Sequence, residues 1–146
     1  MSDPASNIFF ACLIAIGIGT ALSQAVARKK RLKRFFDRGC LGKEWRARFP
    51  AATKQEIREF LELFIRAFGF SRKNRLSFSP DDQVMDIYRA LYPPKWTVAD
   101  ALECESLAME CERRYGIDML DLFETSSAGL TLGDIFTAAL KKNPAP

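Results

Sequence analysis

The sequence has 146 residues and contains no histidine. Without histidine the chain cannot use Ser-His or Cys-His activation of a nucleophile, and it lacks the commonest transition-metal ligand. Its four cysteines form no CxxC pair and stand at Cys12, Cys40, Cys104 and Cys111. The chain is also too long to need a disulfide scaffold. We therefore expect free thiols and no metal site, with Cys104 and Cys111 packed as small apolar residues on one helix face.

Strand patterns and catalytic motifs are missing as well. No segment alternates between polar and apolar residues over a useful length, which excludes a sheet. No glycine-rich phosphate loop follows a strand pattern, and no motif marks a pair of carboxylates as acid and base. We predict an all-α protein that is not an enzyme.

The positive charge is confined to one segment. The formal charge is +4 and the calculated pI is about 9.0. Residues 28–48 carry a net charge of +8, whereas residues 49–146 carry −3. A basic surface is typical of nucleic-acid binding. No aromatic residue interrupts the run RKKRLKR, however, and we expect no nucleic-acid partner.

The 24 residues between Asp3 and Arg28 carry no charge. About 20 helical residues are enough to cross a hydrocarbon core of about 30 Å. A cleaved signal peptide would place its basic residues before the apolar run, whereas here they follow it. We predict that residues 1–27 are a transmembrane anchor, with a span of about 6–27. The alternative is a buried helix in a soluble protein.

The basic residues after the span predict its orientation. By the positive-inside rule they lie in the cytoplasm, where they also attract anionic membrane lipids. This basic collar consists of Arg28, Lys29, Lys30, Arg31, Lys33 and Arg34. We expect a single-pass membrane protein with a cytoplasmic C-terminal domain. Residues 28–52 are predicted to be a basic juxtamembrane linker with a short helical turn around Trp45, and Phe35 and Phe36 are expected at the membrane interface.

Helix signals mark the remaining residues, 53–146. Thr53 and Glu56 form a capping box before an amphipathic run that ends at Gly69. A second helix is predicted to start at Ser79, with Pro80 in its first turn. A third runs from about Thr97 to Tyr115, a short helix follows Gly116, and Thr131 and Asp134 cap the last one. These signals predict a small bundle of four or five helices.

Residues 100–140 resemble the second half of an acyl carrier protein. In that family the second helix begins Asp-Ser-Leu and ends near an aromatic-Gly-Ile-Asp motif, and Thr-x-x-Asp starts the last helix. The matching positions are Asp100, Leu102, Leu107, Tyr115, Gly116, Ile117, Asp118, Thr131, Gly133 and Asp134. The resemblance extends over roughly residues 53–142. It implies a bundle of the acyl-carrier-protein type.

The main departure from this family is Ala101. It occupies the position of the serine that carries 4′-phosphopantetheine, and alanine has no hydroxyl to form the phosphodiester. Ser106 lies in a similar Glu-Ser-Leu sequence, but it leaves only nine residues to Tyr115 where the family has roughly fourteen. We therefore expect no cofactor, and Ser106 is the alternative attachment site.

The resemblance also implies a docking face. Carrier proteins present an acidic second helix to basic patches on partner enzymes. The corresponding positions are Asp100, Leu102, Glu103, Glu105, Met109, Glu110 and Glu112. We expect a non-catalytic docking module for a protein with a basic patch, such as an enzyme of lipid or polyketide metabolism. The alternatives are a genuine carrier that uses another serine, such as Ser106, and a single-span membrane assembly subunit with an unrelated helical bundle.

Overall fold

The computed structural model describes residues 4–92 and 102–142. Within these ranges the chain forms helices and no strand, as predicted. The α-helices are α1 (Pro4–Phe36), α2 (Gly42–Arg48), α3 (Lys54–Ala67), α4 (Val84–Leu91), α5 (Leu102–Tyr115), α6 (Met119–Thr125) and α7 (Leu132–Lys142). A 3₁₀ helix covers Arg72–Ser77. Five α-helices after residue 53 agree with the predicted bundle.

Two helices begin with the capping boxes that the sequence predicted. At α3 the Thr53 hydroxyl accepts from the Glu56 amide at 3.1 Å, and the Glu56 carboxylate accepts from the Thr53 amide at 2.7 Å. The hydrogen bonds from Thr53 lower the pKa of Glu56. At α7, Thr131 and Asp134 repeat this exchange at 3.1 and 3.0 Å. Each box satisfies amides that the first helical turn leaves without partners.

The predicted start of the second helix at Ser79 is wrong, because α4 begins at Val84. The backbone before it bonds to α7 instead. The Pro80 carbonyl accepts from the Gly133 amide at 2.7 Å, and the Asp82 carbonyl accepts from the Leu132 amide at 3.0 Å. Carbonyls engaged across the molecule in this way do not form a local helical turn. The Asp82 side chain instead accepts from the Ser79 amide at 2.7 Å and closes a tight loop.

Aromatic residues from separate helices form the centre of the core. Trp45 on α2 is completely buried, and its indole N–H donates to the Phe78 carbonyl at 2.8 Å. Its ring lies 5.9 Å from Phe60 on α3 and 5.7 Å from Phe136 on α7. The predicted helical turn around Trp45 is therefore present, and it belongs to the core.

Residues 28–52 contribute to the folded domain to a greater extent than a linker would. Helix α1 continues without a break to Phe36, and Leu32 and Phe35 are buried. The Phe35 ring lies 5.9 Å from Phe78, and Phe36 meets Phe70 edge to face at 5.5 Å. The expectation that these two phenylalanines lie at the membrane interface is wrong, since they pack on Phe70 and Phe78, which flank the 3₁₀ helix.

The first part of α1 has no such cover. This one helix is long and apolar enough to cross a membrane. Its large apolar side chains are 49–69% exposed; they are Phe10, Leu13, Ile14, Ile16, Ile18, Leu22 and Val26. A continuous exposed surface made of seven large apolar side chains marks a site of interaction with membrane or protein.

The two environments along α1 give a matched pair of substitutions. We expect Leu32→Ala to lower the free energy of unfolding by about 2–3 kcal/mol, because it removes buried methyl groups from the core. Leu22→Ala is the control on the same helix and should change it by less than about 0.5 kcal/mol. Urea unfolding of the full chain in mild detergent, followed by tryptophan fluorescence, measures both. Equal effects would contradict the assignment of residues 28–36 to the core.

Candidate docking face on helix α5

Four of the predicted docking residues form one stripe along α5. Leu102, Glu105, Met109 and Glu112 follow each other at spacings of three, four and three, which places them on one side of the helix. Leu102 is 57% and Met109 65% exposed, and both carboxylates are exposed. Within the described residues neither carboxylate has an ion-pair partner. We call these four residues the α5 stripe.

The other two predicted carboxylates within α5 bind to the protein itself. Glu110 pairs with Arg113 at 2.6 Å and with Arg66 of α3 at 3.2 Å. These partners, Arg113 first, lower the pKa of Glu110. Glu103 accepts a hydrogen bond from the Tyr92 hydroxyl at the end of α4. Glu103 and Glu110 therefore lie on a side of α5 that contacts α3 and the end of α4. The predicted acidic face thus consists of two parts, these two engaged carboxylates and the exposed ones of the stripe.

The third side of α5 points into the core. Leu107 and Cys111 are completely buried, and Cys104 is half-buried. Burial raises the pKa of the Cys111 thiol to about 12 and that of Cys104 to about 11. The prediction that these cysteines pack as small apolar residues is confirmed.

Ala101 and Ser106 are the predicted positions on which attachment of a prosthetic group would depend. Asp100 and Ala101 fall outside the described residues. Ser106 is the fifth residue of α5 and is half-buried. It therefore lies within the helix, between Glu105 of the stripe and the buried Leu107, and its use as an attachment site stays a prediction.

The basic collar is also divided. Arg31 donates to the Ala90 carbonyl at 2.9 Å and Arg34 to the Asp86 carbonyl at 3.2 Å, so both bind α4. Lys33 lies 3.5 Å from Asp37. Three collar residues are exposed and have no ion pair within the described ranges: Arg28, Lys29 and Lys30. They can contact lipid headgroups.

Sequence reasoning missed two basic features. Arg38 forms a two-pronged ion pair with Asp82, at 2.9 and 2.7 Å, and so extends the contact of α1 with the α4 region. A depression between α2 and α3 is lined by the basic residues Lys43, Arg46, Lys54 and Arg58 together with apolar Ile57 and Leu76. The spacing of three on α2 and four on α3 predicts that each basic pair lies on one side of its helix. The sequence does not predict that the two helices lie side by side.

Within the described ranges, no group of histidine, cysteine or acidic side chains is arranged to hold a metal ion. Comparison with known proteins adds no assignment: no protein-family model, curated protein or solved structure matches this chain. The proposals below therefore depend on the residues and their geometry.

Burial of the thiols leads to a prediction about their reactivity. With a pKa of about 12, roughly one Cys111 thiol in ten thousand is ionised at pH 8, and only the thiolate attacks a disulfide reagent. We expect Cys40, which is exposed, to react with Ellman's reagent at least a hundredfold faster than Cys111 in the folded protein. Peptide mass spectrometry assigns the sites, and urea should abolish the difference. Equal rates without urea would contradict the burial of α5.

Proposed function

We propose that this protein is a membrane-anchored, acyl-carrier-like docking module that binds a partner protein at the cytoplasmic face of the membrane without carrying an acyl group on Ala101. The observation that carries the proposal is the α5 stripe. Its exposed leucine and methionine alternate with exposed carboxylates on the helix that directly follows Ala101 in the sequence.

The order and lengths of the helices support the carrier-like assignment. Helices α3 and α5 have 14 residues each and α7 has 11, while the short α6 has seven and lies between α5 and α7. The resemblance implies this arrangement: three long helices, with a short helix between the second and the third. Helix α4, of eight residues, lies in the connection between α3 and α5.

The negative charge of the segment that contains α5 favours a partner with a basic surface. Residues 81–134 carry 12 acidic and four basic residues, a net charge of −8. A field of one sign mainly speeds and orients the encounter with a surface of opposite sign, and the apolar side chains then contribute affinity. An enzyme of lipid or polyketide metabolism with a basic patch near the membrane would fit this surface.

The anchor and its orientation complete the proposal. The uncovered apolar half of α1 is followed at once by Arg28, Lys29 and Lys30. That order favours a single span with the C-terminal domain in the cytoplasm. The exposed lysines and arginine would bind anionic headgroups there.

The first test concerns the missing serine. We expect the intact mass of the protein to stay unchanged after co-expression with a phosphopantetheinyl transferase, because Ala101 offers no hydroxyl. An authentic carrier protein co-expressed in the same cells is the positive control. A mass shift that maps to Ser106 would contradict the proposal and favour a genuine acyl carrier.

The second test concerns docking through the stripe. A photoreactive benzoylphenylalanine at Met109 should form a cross-linked adduct with a membrane-associated protein on illumination. Glu105→Lys combined with Glu112→Lys should reduce the adduct yield at least threefold, because it reverses the charge that a basic partner meets. Asp121→Lys with Glu124→Lys on α6 is the matched control, since these carboxylates are exposed but lie outside the stripe. Equal yields in both double variants would contradict docking through the stripe.

A further inference from the structure

Three side-chain contacts fix how the end of α1 lies against α4. Arg31 reaches the carbonyl of Ala90, Arg34 that of Asp86, and Arg38 the carboxylate of Asp82. Residue numbers rise along α1 while they fall along the partner segment. The two helices are therefore antiparallel, and the C-terminal end of α4 points back toward the apolar half of α1.

The start of α5 lies at this same end. The Tyr92 hydroxyl, just after α4, donates to the carboxylate of Glu103. That hydrogen bond and burial raise the pKa of Tyr92 to about 12, while the positive charge of Arg28 acts in the opposite direction. Arg28 lies about one turn before Arg31, which bonds the Ala90 carbonyl, so the antiparallel contact places Arg28 beside the Tyr92 end of α4. The N-terminal end of α5, with Leu102, lies near the first residue of the collar.

The other end of α5 contacts α3 and α7. Arg114 pairs with Glu59 at 3.0 Å, and Tyr115 lines a small cavity together with Phe136. Phe136 packs on Trp45. The indole N–H of Trp45 donates to the Phe78 carbonyl, and the Phe78 ring contacts Phe35. Phe35 is seven residues beyond Arg28, or about 10 Å further along α1. The N-terminal end of α5 therefore lies beside the end of α4 and the collar, whereas its C-terminal end contacts α3 and α7.

Arg28 is also the first charged residue after the apolar run, so the hydrocarbon layer ends close to it. We propose that the end of the domain formed by Tyr92, Leu102 and Glu103 rests against the lipid headgroup layer of the membrane that α1 spans. This inference depends on the span proposed above but not on the docking partner.

The chemistry of this end fits a lipid surface. Leu102 is 57% exposed, and an apolar side chain at the interface is stabilised when it leaves water. Glu103 is held by Tyr92, while Arg28, Lys29 and Lys30 on the neighbouring helix attract anionic headgroups. Since α1 enters the core as a continuous helix, the domain is held at a fixed distance from the membrane. Leu102 of the α5 stripe then lies at the membrane, and Glu105, Met109 and Glu112 remain exposed to a partner in the cytoplasm.

Spin labels on the full chain in vesicles that contain anionic lipid and a nickel-chelating lipid test this orientation. Exposed Cys12 and Cys40 are replaced by serine, and single labels are introduced by Lys30→Cys, Leu102→Cys or Glu112→Cys. We expect the headgroup nickel to enhance relaxation at positions 30 and 102 at least threefold more than at 112. Position 112 is the matched control, because it belongs to the same stripe about 15 Å further along the helix.

The three labels separate the possible failures. Strong relaxation at position 30 with equal, weak relaxation at 102 and 112 would overturn the inference and leave the span intact. Absence of relaxation at position 30 would overturn the span and the inference together. The cross-linking yield at Met109 is measured separately and reports only on docking.

Discussion

The packing of the last three turns of α1 against α4 determines how this protein is organised. Leu32 and Phe35 bring one face of α1 into the core, and Arg31 and Arg34 satisfy carbonyls of α4 on either side. An α-helix kinks sharply only at proline, at glycine or where a group inserts into its hydrogen bonds. Residues 28–36 contain neither proline nor glycine. The segment of α1 from Arg28 to Phe36 and the helical domain therefore form a single rigid unit.

The register of that contact depends in turn on the loop before α4. Gly133 approaches the Pro80 carbonyl so closely that a Cβ atom at position 133 would lie 2.8 Å from the carbonyl oxygen. Only glycine allows this approach, which lets α7 take the backbone bonds of Pro80 and Asp82. The loop delays the start of α4 to Val84 and leaves Asp82 free to bind Arg38. One close contact at α7 thus determines where α4 meets α1.

Local signals in the sequence were sufficient for part of this fold. The capping boxes at Thr53 and Thr131 were predictable because each involves residues three apart, and the buried face of α5 followed from its periodicity. The start of α4 was not predictable, since Ser79 and Pro80 form a sound local helix signal that bonds from α7 override. The position of Phe35 failed for a similar reason. The sequence around a phenylalanine after a basic run is the same whether lipid or Phe78 covers its side chain.

The same limit applies to the docking face. Spacing alone indicated which side of α5 is exposed. It could not distinguish which of the six predicted docking positions within α5 are available to a partner. Tertiary contacts separate them, because Arg66 and Tyr92 engage Glu110 and Glu103 while Glu105 and Glu112 stay exposed. The exposed ion pairs contribute little stability; burial of Leu107 and Cys111 holds α5 in place. A partner can therefore bind the stripe without breaking any contact that fixes the helix. Docking of this kind loses little affinity to rearrangement, because the binding surface is already formed.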